Sequence, residues 1–262
     1  MNSYIAEFWN SFSNIVIVCV GLFNLRQSYK YRYEPRYALL SCGVALVGFG
    51  SFAFHGMLQI ESQFADELPM IYSILIWCYC LYQIESTANE SLLTSHIFMV
   101  VASLGYTVVH CYFALVTAFQ LYFALLVTVG VVLLERLSRL HTDYQFLPLP
   151  YYGTATPPKP HQNTLKSPHT QSLRLLVKWY FLLLLSGLAV WLIDQNYCTL
   201  LHNLPYGLPN PQLHAWWHAI TGMSHHFGIQ FAIGLRLKFL NKGKLPVTRW
   251  HLGGVWPVST AK

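Results

Sequence analysis

The chain has 262 residues, of which 54% are hydrophobic and only 10% are charged. Soluble globular domains carry charge at about 25% of their positions. This composition therefore excludes an ordinary soluble domain and indicates a membrane protein, whose outward faces are solvated by lipid.

Seven apolar stretches follow one another along the chain, each close to the ~20 residues that cross a hydrocarbon core. Each must be helical, because lipid cannot satisfy free backbone groups and the alternation typical of barrel strands is absent. The sequence predicts an all-α membrane protein, a seven-transmembrane helix bundle. In chain order the predicted spans are 5–25, 37–57, 65–83, 92–110, 113–134, 174–193 and 213–235.

Basic residues lie on one side of this arrangement. With the N-terminus outside, the inner segments are 26–36, 84–91, 135–173 and the tail from residue 236, and all 16 Lys and Arg lie in or beside them. The positive-inside rule therefore predicts a lumenal N-terminus and a cytosolic C-terminus. Anionic cytoplasmic lipid accounts for the net charge of +6, so no nucleic-acid partner is expected.

One stretch interrupts the apolar pattern. Residues 141–173 contain six prolines among Thr, Gln and Ser, which predicts a flexible cytoplasmic loop. We therefore expect one membrane domain over residues 1–240 and a basic cytoplasmic tail over 241–262. The glycosylation sequon at 89–91 falls on the predicted inner side, so we expect it to stay unmodified.

Three of the predicted spans have, at one end, polar residues that could bind a metal or take part in hydrolysis. The second span ends near His55, with Ser51 one turn earlier on the same face. The third begins near Asp66, and the seventh begins with His214 and His218 at a spacing that directs both at one point. Because successive spans alternate in direction, all of these residues are expected in one leaflet.

Ionisable groups inside a bilayer are costly and usually face a functional interior. Three neutral imidazoles with an open fourth position are typical of catalytic zinc. HxxxH alone is equally consistent with hydrogen-bonded histidines, but a third histidine, a carboxylate and a hydroxyl favour metal. The sequence therefore predicts an intramembrane zinc site with three ligands: His55, His214 and His218.

Other residues give weaker signals. Trp217 is interpreted either as an interfacial aromatic or as the wall of a pocket for a substrate chain. His225 is interpreted as a packed polar residue, and His110 as incidental. Cys111 and Cys198 fall on the predicted outer side, where a disulfide persists if one forms, but the sequence does not pair them.

Four segments together closely resemble the alkaline ceramidase family: Tyr4–Asn10, Ser51-xxx-His55, Asp66–Ser73 and His214–His218. That family belongs to a superfamily of seven-helix membrane hydrolases that includes the adiponectin and progestin receptors. The resemblance runs from residue 4 through the seventh span, and Trp256-Pro257-Val258 is similar to the family's tail.

The resemblance implies hydrolysis of the ceramide amide to a sphingoid base and a fatty acid, in the endoplasmic reticulum or Golgi. It implies ceramide and membrane lipids as partners and identifies no protein partner. By the family pattern the three histidines hold zinc, Ser51 stabilises the oxyanion and Asp66 transfers the proton.

Family members also carry an N-terminal segment, with a D-W-x-E-x-N stretch, that binds calcium, and a cysteine there that pairs with one before the seventh helix. The resemblance matches Glu7 to a calcium ligand and Cys198 to the second cysteine. Because the sequence starts at Met1, we expect that segment to be missing. Either calcium control is lost, or the natural start lies upstream.

Two alternatives use the same residues. One is a receptor-like seven-helix bundle in which zinc is structural, and the other is a lipid-remodelling hydrolase that cleaves an ester. All three interpretations require the second, third and seventh spans to bring their polar ends together.

Overall fold

The computed structural model describes residues 5–86, 93–113, 116–142, 168–205, 208–240, 247–251 and 256–260. They form eight α-helices and an antiparallel β-hairpin. The helices are α1 (Phe8–Ser13), α2 (Ile15–Lys30), α3 (Pro35–Met57), α4 (Ile60–Tyr82), α5 (Leu93–Phe113), α6 (Val116–Thr142), α7 (Pro168–His202) and α8 (Leu213–Leu240). The strands are β1 (Val247–His251) and β2 (Trp256–Thr260).

The helical membrane protein predicted from composition is confirmed. Within the described residues, six helical segments are long and apolar enough to cross a membrane: Phe8–Lys30, Pro35–Met57, Ile60–Tyr82, Thr94–Phe113, Val116–Thr142 and Gln171–Leu201. Helix α8 has 28 residues but is not among them, because its four histidines lower its hydropathy. The seventh span therefore stays a prediction.

The helices on either side of the predicted loop 141–173 are longer than the sequence indicated. Helix α6 continues to Thr142 and α7 begins at Pro168, where proline suits the first position of a helix. The loop boundaries were therefore wrong at both ends, and residues 143–167 lie outside the described part of the chain. The sequon at 89–91 lies outside it as well.

The apolar core occupies the half of the bundle remote from His55 and His214. Fully buried side chains meet there from the start of α3, the end of α4, the start of α7 and the end of α8: Tyr37, Leu81, Leu176 and Phe231. The same cluster includes Val20 of α2 and Leu134 of α6, so six helices contribute to this core and its burial of apolar area stabilises the bundle.

A buried guanidinium closes this end of the bundle, which we call the basic end. The Nε and Nη2 groups of Arg236 donate to Glu34 Oε1 at 3.0 and 2.9 Å, and Nη1 donates to the carbonyl oxygens of Ile84 and Ser86 at 2.9 and 2.7 Å. Arg36 pairs with the same Glu34. These bonds join the end of α8 to the α2–α3 turn and to the end of α4.

The hairpin, which the sequence did not indicate, sits on the same half. The backbone N–H of Ser259 donates to Gln230 Oε1 at 2.8 Å, and its hydroxyl donates to the Gln230 carbonyl at 3.0 Å. Gln230 in turn donates to Asn24 Oδ1 at 2.8 Å. A buried polar chain therefore links part of the predicted tail to α8 and α2.

Candidate metal centre

The short turn between α3 and α4 places two predicted site residues at the same depth in the bundle. Only Leu58 and Gln59 separate the helices, and Leu58 takes a left-handed conformation with φ of 53°. Ser51 and Asp66 lie equally far from this turn on antiparallel helices, so they lie at the same level of the bundle. Ser51 is 4% exposed, and it follows Gly50, whose backbone contacts those of Ala65 and Asp66.

A glycine and a proline bring the two backbones into contact beside this pair. Pro69 lies within α4 and has no N–H to give to the carbonyl of Ala65, four residues earlier. Gly50 packs against that carbonyl so closely that a Cβ at residue 50 would lie 1.8 Å from the oxygen. The proline and the glycine therefore account for the close approach of α3 and α4 next to Ser51.

Three imidazoles converge at this end of the bundle, which we call the histidine end. The ring centroids of His55 and His214 are 5.0 Å apart, those of His55 and His218 are 5.0 Å apart, and those of His214 and His218 are 4.7 Å apart. Each ring has a nitrogen within 4.8 Å of a nitrogen on both others. Helices α3 and α8 thus contribute side chains to a single point.

The Nδ1 atoms of two rings are held by the first helical turns of the chain. His55 Nδ1 lies 2.6 Å from Glu7 Oε2. His218 Nδ1 lies 2.9 Å from Ser13 Oγ and 3.1 Å from the Asn10 carbonyl oxygen. Carboxylate and carbonyl oxygens only accept, so both Nδ1 atoms carry the proton. Each Nε2 is left with its lone pair.

Charge supports this assignment. Glu7 Oε2 lies against His55 Nδ1, the pairing expected of a carboxylate with a protonated ring nitrogen. The same carboxylate oxygen also accepts from Asn10 Nδ2 at 3.0 Å. On the third ring, His214 Nδ1 faces Asp194 Oδ2 of α7 at 3.9 Å.

These donors fit a zinc ion. Histidine nitrogens bind zinc at about 2.0–2.1 Å, so two ligands of one ion lie at most ~4.2 Å apart. In the structure the three ligand nitrogens lie within 4.8 Å of one another. Small side-chain rotations would bring them to the separation that one zinc ion requires. Metal-binding histidines usually donate their second nitrogen to an oxygen acceptor, as His55 and His218 do here.

Other predicted residues lie around or away from this cluster. Trp217 packs towards α7, with its ring centroid 6.2 Å from that of Trp191, while Trp216 is 59% exposed. His225 has accessible surface while its Nδ1 bonds to the Thr221 carbonyl at 2.6 Å, and its neighbour His226 is 0% exposed. All six cysteines lie in the described part of the chain, and none is in a disulfide there.

Sequence reasoning missed two groups of residues. Ser13 and the Asn10 carbonyl contact His218, and the signal was present as a polar residue at every third position on an apolar helix, from Glu7 through Asn10 to Ser13. Away from the cluster, His110 Nε2 lies 2.6 Å from Glu67 Oε2, with both residues buried. His110 therefore has a specific partner that joins α5 to α4.

Known proteins resemble the chain over nearly its whole length. A sequence model of the family described as Ceramidase matches residues 1–260. Alkaline ceramidase 3 of Mus musculus is 29% identical over 97% of this chain and 85% of its own. Alkaline ceramidase of Arabidopsis thaliana is 25% identical over 96% and 85%, and alkaline ceramidase YPC1 of Saccharomyces cerevisiae is 28% identical over 96% and 84%.

Proposed function

The chain belongs to the ceramidase family, and from this we propose that it hydrolyses the amide of ceramide to a sphingoid base and a free fatty acid. The observation that carries the proposal is the convergence of His55, His214 and His218 in a chain related to alkaline ceramidases along 96–97% of its length. Helices long and apolar enough to cross a membrane suit a lipid substrate.

We propose that the Nε2 atoms of His55 and His218, together with a nitrogen of His214, hold a zinc ion. When bound, zinc supplies Lewis-acid chemistry, polarising a carbonyl oxygen and lowering the pKa of water to roughly 7. The tautomers of His55 and His218 support this, because each ring presents a lone pair on the nitrogen that Glu7 or Ser13 does not occupy.

The carboxylate of Asp66 is proposed to move the proton. It takes one from the water that adds to the amide carbon and gives one to the nitrogen as the C–N bond breaks. Ser51, buried on α3 at the level of Asp66, is proposed to donate a hydrogen bond to the carbonyl oxygen as that oxygen gains negative charge.

The remaining assignments are proposals of topology and location. We place α8 across the membrane as a seventh span, the histidine end towards the lumen of the endoplasmic reticulum or Golgi, and the basic end towards the cytosol. The one-sided distribution of Lys and Arg supports this orientation. Glu7 stays the proposed calcium ligand, and its Oε2 is the oxygen that contacts His55 and Asn10.

The test is product analysis of the purified protein by mass spectrometry over a panel of ceramides, with and without a zinc chelator. We expect a sphingoid base and a fatty acid in equal amounts, lost with the chelator and restored by Zn²⁺. Release of fatty acid from an esterified lipid but from no ceramide supports the ester-hydrolase alternative. Tight zinc binding without hydrolysis of either class supports the receptor-like alternative.

A further inference from the structure

The segment Glu7–Ser13, which is α1 and the residue before it, contacts two of the three imidazoles and contributes none of them. We infer that the segment Glu7–Ser13 positions the metal ligands, and that Ser13 fixes the orientation and the tautomer of His218. This inference rests on the proposed metal centre and adds a positioning residue to it. Neither Ser13 nor Asn10 is needed for the zinc-ligand assignment itself.

The bonding around the Asn10 carbonyl makes Ser13 the main partner of His218. Three donors approach that single oxygen: Asn14 Nδ2 at 2.8 Å, Ser13 Oγ at 2.9 Å and His218 Nδ1 at 3.1 Å. A carbonyl oxygen has only two lone pairs, so the three donors compete. The shorter contact of His218 is with Ser13 Oγ, at 2.9 Å.

The direction of each hydrogen bond follows from this arrangement. Ser13 gives its hydroxyl hydrogen to the Asn10 carbonyl, so its oxygen is free to accept from His218 Nδ1–H. Deleting the Ser13 hydroxyl removes the shorter of the two contacts of His218 and leaves the Asn10 carbonyl, which His218 then shares with Asn14 Nδ2. The His218 ring is then less restricted in rotation, and the tautomer with its lone pair on Nε2 is favoured less.

The segment itself is fixed to the helix that carries the other ligand. The backbone N–H of Ala6 donates to the Gly56 carbonyl at 3.1 Å, and that of Glu7 donates to the His55 carbonyl at 3.0 Å. The Glu7 side chain contacts His55 and the Ser13 side chain contacts His218. One short segment therefore sets the spacing between a ligand on α3 and a ligand on α8.

The chain offers a matched control two residues away. Ser11 lies in the same helix, is 1% exposed, and its hydroxyl makes no hydrogen bond within the described residues. Ser11→Ala therefore removes the same atom from the same buried helix without touching a ligand. Ser13→Thr is the conservative variant, because threonine keeps the hydroxyl.

The experiment measures zinc affinity of the full-length protein in detergent by competition with a chromophoric chelator, and the visible spectrum of the Co²⁺-substituted protein. Removing such a supporting contact typically weakens metal binding 10- to 100-fold. Because the Asn10 carbonyl remains, we expect about 10-fold for Ser13→Ala, with an altered cobalt spectrum. We expect Ser13→Thr and Ser11→Ala to bind zinc as the parent does.

Each outcome decides the inference. Parental zinc affinity and an unchanged cobalt spectrum in Ser13→Ala overturn the positioning role and leave the proposed hydrolase intact. Equal losses in Ser11→Ala and Ser13→Ala also overturn it, because the effect then belongs to the helix as a whole. Weaker zinc binding in Ser13→Ala alone supports it even if the parent releases no fatty acid from ceramide.

Discussion

The two ends of the bundle bury polar side chains to the same degree and use them differently. At the basic end Arg236 is 6% exposed and places four N–H groups on acceptors. At the histidine end His55 and His218 are 6% and 5% exposed, but within the described residues their hydrogen bonds involve Nδ1 alone. A buried side chain whose N–H donors all have acceptors stabilises the fold. A buried imidazole that keeps a lone pair on Nε2 can bind a metal ion.

The two ends also differ in what packs around their polar residues. The basic end adjoins the apolar core, where Leu81 and Phe231 are fully enclosed. The histidine end depends on contacts between backbones, chiefly that of Gly50 with Ala65, and on the hydrogen bonds of α1. Stability and reactivity therefore reside in opposite halves, and substitutions at the two ends should separate them.

The largest effect is expected for His218→Ala. Loss of one of three imidazoles should abolish zinc binding and amide hydrolysis together. The control is His225→Ala on the same helix, because His225 bonds only to the Thr221 carbonyl at 2.6 Å among the described residues. Zinc binding is measured as metal content by mass spectrometry, and hydrolysis is measured as fatty-acid release. A His218→Ala protein that retains zinc and activity removes this residue from the ligand set.

Ser51→Ala should keep the zinc and slow turnover about 10²–10³-fold, the usual effect of losing one donor to an oxyanion. The control is Ser41→Ala, also on α3, whose hydroxyl bonds to the Tyr37 carbonyl at 2.6 Å and lies in the core half. Single-turnover hydrolysis at fixed zinc content measures the difference. Unchanged kinetics would make Ser51 a packing residue.

Gly50→Ala should damage the site through the backbone. A Cβ placed 1.8 Å from the Ala65 carbonyl oxygen forces α3 and α4 apart, at a cost of about 3 kcal/mol. Displacing Ser51 from Asp66 by even 1 Å should lower hydrolysis about 100-fold. Gly105→Ala is the control, because its Cβ meets no described atom within 4 Å. Equal activity of the two variants contradicts the close-approach interpretation.

The smallest effect on activity is expected at the basic end. Arg236→Met leaves two carbonyl oxygens and Glu34 without this donor, which should lower the free energy of unfolding by about 2 kcal/mol. The cost stays below that of a fully buried pair, because Glu34 is 32% exposed and keeps Arg36. Zinc affinity should be unchanged. Lys238→Met, which loses one long contact of 3.4 Å, should have less effect on thermal unfolding.

Much of the fold was predictable because its signals are local. Apolar stretches located the helices, the spacing of His214 and His218 placed both on one helical face, and the Ser51-xxx-His55 spacing did the same on α3. Element ends were less predictable. Helix α7 extends beyond the predicted span 174–193 at both ends, and its last turn follows a kink at Tyr197, because hydropathy locates a helix without fixing where it begins and ends.

The sequence by itself determined the helical membrane class and the two pairs His214/His218 and Ser51/His55 that each share a helical face, since these depend on composition or on neighbours within a few turns. Only the tertiary structure decided which oxygen holds each imidazole, which glycine faces which carbonyl, and which acceptors surround Arg236. Ser13 and His218 are separated by 205 residues and His55 and Glu7 by 48. A contact across such separations depends on how the helices pack, and helical periodicity reports only which face a residue occupies.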